Sequence, residues 1–197
     1  DAKSLIAPST DHLSIENIEI FRKNNYWNYL KILNPVGQLK ETDTLLEAKL
    51  HFSEMKSNDV IKKDIEDHFY IYQIEFKEHI QTGFLSLANI EDFTNEKIKA
   101  HEKIYENRMR ERAEQMLNIK SQIGPIYVFF ENNKEINELL HSIIKQAPDY
   151  DFESFDNSVH KLWCISNEEF INNLSSLFSK NISNLYIADG HHRMGAM

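Results

Sequence analysis

Apolar residues recur along the chain with two periods, and the switches between them predict the elements. Ser14 stands where a first helix needs its N-cap, and Ile15, Ile18 and Phe21 follow at helical spacing up to Asn24 and Asn25. The run Tyr26, Trp27, Tyr29, Leu30 and Ile32 reads as a strand, stopped by Asn34, Pro35 and Gly37. Residues 42–55 predict a second helix with Leu46, Leu50 and Phe52 on its buried side. Residues 69–76 and 80–88 are strand-like, and the short polar link between them predicts a hairpin, with Gly83 read as a bulge.

Residues 102–119 are charged and helix-favouring, with Glu106 four positions before Arg110. Pro125 opens an apolar strand over 126–130. Ile136, Leu139, Leu140, Ile143 and Ile144 then keep the three-four spacing of a buried helical stripe. Residues 150–155 and 159–165 are candidate strands. Ser166 with Glu169 has the form of a capping box, and the helix after it carries Phe170, Ile171, Leu174, Leu177 and Phe178 on one side. A last strand over 185–188 delivers the chain to a turn at Asp189 and Gly190. Residues 94–99 and 132–134 are polar enough to be loops.

Strands and helices that alternate in the second half, after a central hairpin, predict an α+β fold: a mixed sheet with helices packed on it. The 197 residues suit one sizeable α/β domain, with 1–100 and 101–197 as candidate sub-lobes. A hydrophobic fraction of 41% with 27% charged residues is that of an ordinary globular protein, so disorder is not expected. The net charge of -9 opposes broad attraction to nucleic acid or anionic membranes. With Cys164 as its one cysteine the chain forms no internal disulfide, which points to a reducing cytoplasm. No stretch approaches the roughly 20 apolar residues of a membrane span, and no signal-peptide pattern opens the chain.

Candidate chemistry concentrates in the stretch from Ile187 to Met197. A helix beginning at Gly190 or His191 would offer unpartnered backbone N–H groups and the positive end of its dipole to an anion. Gly190 leaves room for a phosphate, Arg193 can reach back with a two-pronged donor, and His191 and His192 add further donors. The alternative is a helix cap at Asp189 followed by surface histidines. His101-Glu102 forms a second candidate site: Glu102 can act as a general base in phosphoryl transfer, and Arg108, two turns on, can neutralise phosphate charge. Its alternative is an acidic helix start with solvated arginines. No metal site is expected, because Cys-x-x-Cys pairs are absent and His101-Glu102 lacks the second histidine of a zinc-binding helix. Cys164 and Trp27 read as packing residues.

Asp189-Gly190-His191-His192-Arg193, followed by Ala196, resembles the signature of domain-of-unknown-function family 1015. The resemblance extends to His101-Glu102, Gly124-Pro125, Tyr150-Asp151-Phe152, His160 and Leu162-Trp163. Phe69 to Tyr72 with Gly83-Phe84 is similar to that family's central hairpin. It implies that the chain is the N-terminal half of a longer protein. The Gly-x-x-Arg corner is similar to the nucleotide-phosphate loop of the ParB and sulfiredoxin superfamily, which includes a free-serine kinase that uses ADP. This implies that Gly190, His191, His192 and Arg193 hold nucleotide phosphates, with ADP or ATP as cofactor. Mg2+ brought in with a nucleotide keeps much of its water shell and needs few carboxylates, so Asp189 or Asp11 is a candidate to hold it. Sulfiredoxin chemistry needs a cysteine where His191 stands. The chain also departs from the family where Ser9, Thr10 and Asp11 follow Ala7-Pro8, at Asn34 before Pro35, and at Ile104.

The resulting expectation is a phosphate- or nucleotide-binding protein, a small-molecule kinase or related phosphotransfer enzyme. His101, Glu102 and Asp189 form its catalytic set, Gly190 to Arg193 with Arg108 bind phosphate, and Asp11 meets substrate. A non-catalytic nucleotide-binding scaffold of ParB type and a DNA-acting nuclease are the competing readings, the latter opposed by the charge.

Overall fold

The computed structural model describes residues 2–7, 13–33 and 41–197. Asp11, Asn34, Pro35 and Gly37 lie outside the described residues. The chain divides into two compact units, one formed by Asp1–Lys63 with Glu111–Gly124 and the other by Asp64–Arg110 with Pro125–Met197.

The described part of the first unit is helical, with α1 (Ala2–Leu5), α2 (Ile15–Asn24), α3 (Leu30–Leu33) and α4 (Glu41–Ser57). Ser14 caps α2 as expected, its hydroxyl accepting from the Asn17 N–H at 3.2 Å. The aromatic run after α2 is not a strand. Asn25 Oδ1 accepts from the Trp27 N–H and Asn28 Oδ1 from the Leu30 N–H, each at 2.9 Å, and these local bonds wind the chain into α3. Leu30 and Ile32 are then both fully buried. The α3 carbonyls are satisfied by Gln115, whose Nε2 donates to Ile32 O at 2.8 Å and Leu33 O at 3.2 Å. Along α4 the buried face is Thr44, Ala48, His51, Phe52 and Met55, whereas Leu46 and Leu50 are exposed, contrary to the predicted stripe. Ile32, Phe52 and Met55 pack with Ile119 and Ile123, and this cluster draws the helix to the Phe52 side.

The second unit carries two sheets. In the first, β1 (Phe69–Phe76) pairs with β2 (His79–Leu85) as the predicted hairpin, through a turn in which Lys77 has a positive φ of 56°. Gly83 faces Tyr72 in unbroken register, so there is no bulge at this position. The second sheet includes β3 (Ile98–Lys99), which follows the short helix α5 (Glu91–Thr94), so residues 94–99 are not a simple loop. Two residues are too few to show a period. The helix α6 (Glu106–Ile119) starts four residues later than expected, which leaves 101–105 outside it. β4 (Tyr127–Phe129) then leads to α7 (Lys134–Ile144), whose N-cap is Asn133, accepting from the Ile136 N–H at 3.0 Å.

β5 (Tyr150–Glu153) and β6 (Val159–Ile165) complete the first sheet in the order β2-β1-β6-β5, antiparallel throughout. The next helix, α8 (Glu168–Asn181), is capped by Asn167 rather than Ser166, with Asn167 Oδ1 accepting from the Phe170 N–H at 2.8 Å. β7 (Leu185–Asp189) is the centre of the second sheet, parallel to β3 and antiparallel to β4, and α9 (His191–Gly195) follows it. The irregularity of this sheet lies between Tyr127 and Val128. The architecture is therefore α+β with mixed pairing, as the pattern predicted.

Helices α7 and α8 bury Ile136, Leu140, Phe170 and Leu174 against Ile71, Trp163 and Ile165 of the first sheet. Each such side chain contributes about 1.5–3 kcal/mol on burial. A smaller cluster of Ile98, Ile187 and Met194 ties β3, β7 and α9 together, and Leu185 packs against both clusters. The start of β7 is thus held from two sides. Among the described residues, no helix is long and apolar enough to cross a membrane.

Candidate functional site

β7 ends at Asp189, and Gly190 turns the chain with a φ of 97°, a left-handed conformation that a side chain disfavours. The Met194 N–H closes the first turn of α9 on Gly190 O at 2.9 Å, and the Met194 side chain is buried against Ile98 and Ile187. That anchor fixes His191, His192 and Arg193 on a helix of five residues. So short a helix has little macrodipole, and any anion held here would depend on the side chains.

Residues 101–109 run alongside. The His101 ring meets that of His191 edge to face, with centroids 4.6 Å apart at 86°. Glu102 Oε2 lies 3.8 Å from His191 Nδ1. Tyr105 stacks on His192 at 5.9 Å with the planes 11° apart. A methyl group built on Gly195 would lie 3.0 Å from Ile104 Cγ2 and 3.5 Å from Met109 Sδ, so the two segments are in close contact. The two stretches singled out in the sequence therefore form one group of side chains.

Arg193 folds back over the turn and donates to the Asp189 carboxylate. Its guanidinium occupies the space that the missing side chain of Gly190 leaves, with Nη2 at 2.9 Å and Nε at 3.0 Å from where a Cβ would stand. Among the described residues, four buried side-chain nitrogens lack a hydrogen-bond partner, and three of them are His191 Nε2, His192 Nε2 and Arg193 Nε. Buried polar atoms are nearly always paired, so three consecutive exceptions mark this corner out. The fourth is His51 Nε2 in the first unit.

Asp189, Gly190, His191, His192, Arg193, His101 and Glu102 are therefore neighbours. Arg108 is exposed in the first turn of α6, beside Met109, whose Sδ lies 3.5 Å from a methyl group built on Gly195. Asp11 lies outside the described residues. Tyr105 was not anticipated, since its partner His192 comes from a distant part of the chain and no local spacing announces the pair. Among the described residues, no group of three His, Cys, Asp or Glu side chains is arranged to hold a metal ion.

A family model described as Protein of unknown function (DUF1015) matches residues 1–197. The chain belongs to the DUF1015 family. No curated protein and no solved structure matches it.

Elsewhere in this DUF1015 chain, a second group of polar side chains lies on the antiparallel sheet. Tyr72 OH is 2.6 Å from His160 Nδ1, and His160 Nε2 is 2.7 Å from Ser158 Oγ. Ser158 Oγ donates to Asp156 Oδ1 at 2.5 Å. Because that carboxylate only accepts, the direction of the whole chain is set: His160 Nε2–H donates to Ser158, and the Tyr72 hydroxyl donates to Nδ1. Burial pushes the His160 pKa down, against the pull of Asp156, in keeping with this neutral ring. Ser158 is 4% exposed and tied at both ends, which makes it a structural hydroxyl rather than an accessible nucleophile. Cys164 is half-buried, and burial first, then Asp149, raises its thiol pKa, so it too lacks the character of a nucleophile.

Proposed function

We infer that this member of the DUF1015 family binds a nucleotide or small phosphometabolite at the 189–193 corner and acts in small-molecule phosphotransfer. The observation that carries the reading is the set of unpartnered buried nitrogens on His191, His192 and Arg193. A buried polar group without a partner costs about 1–3 kcal/mol, a cost that a bound ligand would remove. The Arg193 guanidinium N–H and a His192 imidazole N–H are donors, and a phosphate, which offers several acceptor oxygens and negative charge, is their natural complement, while His191 Nε2 is left to face a hydroxyl of the phosphate acceptor. Glu102 supplies a carboxylate at the same corner for proton chemistry. The similarity of the Gly-x-x-Arg corner to ParB and sulfiredoxin phosphate loops supports ADP or ATP as the phosphate source.

A non-catalytic nucleotide-binding role for the same corner is the second reading. What favours it is the solvent exposure of Glu102, whose side chain is 51% exposed, since a carboxylate open to water is not held against one reacting hydroxyl. The charge of -9 weighs against a nuclease.

Calorimetric titration of ADP, ATP, CTP and phosphoserine into the protein and into Arg193→Ala tests binding. Saturable binding by the wild type, weakened by roughly tenfold or more in the variant, is expected for loss of a charge-assisted contact of about 1.5–3 kcal/mol. Equal affinity in both, or none in the wild type, would remove the phosphate site. Transfer to serine or a related hydroxyl acceptor, measured with ADP and ATP as donors, separates the enzyme from the binding protein.

A further inference from the structure

The corner contains two acid–base groups in very different surroundings. The Glu102 side chain is 51% exposed and that of His191 is 3% exposed. They face each other, with Glu102 Oε2 3.8 Å from His191 Nδ1. That separation is longer than a hydrogen bond and within ion-pair reach, and catalytic contacts often tighten only when ligand is present. The other ring nitrogen, Nε2, is buried and has no partner.

An ionised carboxylate accepts hydrogen bonds and donates none. Facing Nδ1, Glu102 favours the tautomer that carries its proton there, and Nε2 is then left as an unshared lone pair. The edge-on His101 ring packs against the His191 ring and restricts its rotation, so the lone pair keeps one direction. His192 is placed differently, its ring lying flat against that of Tyr105. The Arg193 guanidinium offers donors and no acceptor.

We propose that His191 Nε2 is the proton acceptor of this site, and that Glu102 is a positioning residue that selects the His191 tautomer. This rests on the phosphotransfer reading above. In that reaction the acceptor's hydroxyl oxygen forms a bond to the terminal phosphorus of the nucleotide, and its proton passes to Nε2. The bond from that phosphorus to the bridging oxygen breaks, and the shortened nucleotide leaves with the electron pair. The imidazolium, facing Glu102 across Nδ1, returns to the neutral form by losing a proton to solvent. This is the carboxylate–histidine division of labour, in which the carboxylate orients the ring and stabilises its charge without taking the proton.

Nitrogen-15 labelling of the histidines, with long-range proton–nitrogen correlation spectra of the whole chain, reports which ring nitrogen carries the proton. His191 is expected as the Nδ1–H tautomer. Glu102→Ala should abolish that preference, Glu102→Gln should restore it because an amide oxygen also accepts, and His101→Ala should leave the tautomer in place. An Nε2–H tautomer in the wild type, or one unchanged by Glu102→Ala, overturns the assignment. ADP is titrated in the same samples while the Arg193 Nε–H resonance is followed. An ADP-dependent shift together with the wrong tautomer sinks the His191 role alone. The expected tautomer with no ADP response at Arg193 sinks the phosphate reading, and the role of Nε2 with it.

Discussion

Gly190 and Arg193 share one space: a methyl group on Gly190 would stand 2.9 Å from Arg193 Nη2. Gly190→Ala therefore carries two separate penalties. The first is backbone strain at a φ of 97°, which costs about 1–2 kcal/mol for an L-residue. The second is steric, and it falls on the far end of a flexible side chain, so Arg193 swings away and gives up Asp189. Urea unfolding should show Gly190→Ala less stable by about the strain term. In an Arg193→Ala background the steric part disappears and the strain remains, which a double-mutant cycle can resolve. An alanine variant as stable as the parent would show that the left-handed turn is not required.

The partner of Arg193 also competes with any anion. Asp189 is 74% exposed at its side chain and Arg193 29%, so their pair is near the surface and is worth about 1 kcal/mol or less. Asp189→Asn should leave unfolding stability almost unchanged. It should tighten the binding of inorganic phosphate in metal-free buffer by at most roughly fivefold, the equivalent of about 1 kcal/mol. Loss of phosphate binding in this variant would instead show that Asp189 helps to form the site.

The approach of residues 101–105 to α9 depends on Gly195. A methyl group there would lie 3.0 and 3.1 Å from the Cγ2 and Cδ1 atoms of Ile104, inside the roughly 3.5–4.0 Å optimum for carbon pairs. Cγ2 sits close to the backbone and cannot yield without moving its segment. Gly195→Val is expected to cost about 1–3 kcal/mol by overpacking and to separate Tyr105 from His192. Adding Ile104→Ala makes room and should recover much of the loss. If the double variant is no better than Gly195→Val alone, the contact does not hold the two segments together.

Much of this arrangement was legible in the residues, and the failures have local causes. The β1–β2 hairpin and α8 follow from period and turn chemistry, and the Asp189-Gly190 turn from residue type. The run from Tyr26 to Ile32 has strand-like composition, yet the Asn25 and Asn28 side chains bond the backbone two residues on and enforce a helical turn. On α4, Leu46 and Leu50 match a helical stripe as well as Ala48 and Met55 do, and only the packing partners Ile119 and Ile123 decide between the faces. At the candidate site, composition pointed to His101-Glu102 and Gly190 to Arg193 separately. Their meeting, and the part of Tyr105, depend on the second sheet, whose β3 strand is two residues long.

The histidine on the first sheet gives a pH prediction with a definite sign. His160 is contacted by Tyr72 from β1, by Phe152 stacked at 5.3 Å from β5, and by Ser158, with Asp156 as the nearby charge and Ile74 directly across the β1 ladder. Burial lowers its folded pKa below the ordinary value of 6.5. The unfolded chain therefore binds the proton first as pH falls, and stability drops from about pH 6.5 down to the lowered folded value. Above that window this group makes no contribution to the pH dependence. His51 in the first unit acts in the same direction, lowered by burial and then by Lys31. Asp156 acts at lower pH: Ser158 holds its pKa below 3.8, so its contribution is lost as pH falls through the depressed folded value. Urea midpoints measured across this range should decline on acidification for the wild type, and His160→Gln, which keeps a donor and an acceptor but does not titrate, should show a shallower decline. Parallel curves for the two proteins would mean that His160 takes up its proton equally well folded and unfolded, and the directional chain from Tyr72 to Asp156 would have to be abandoned.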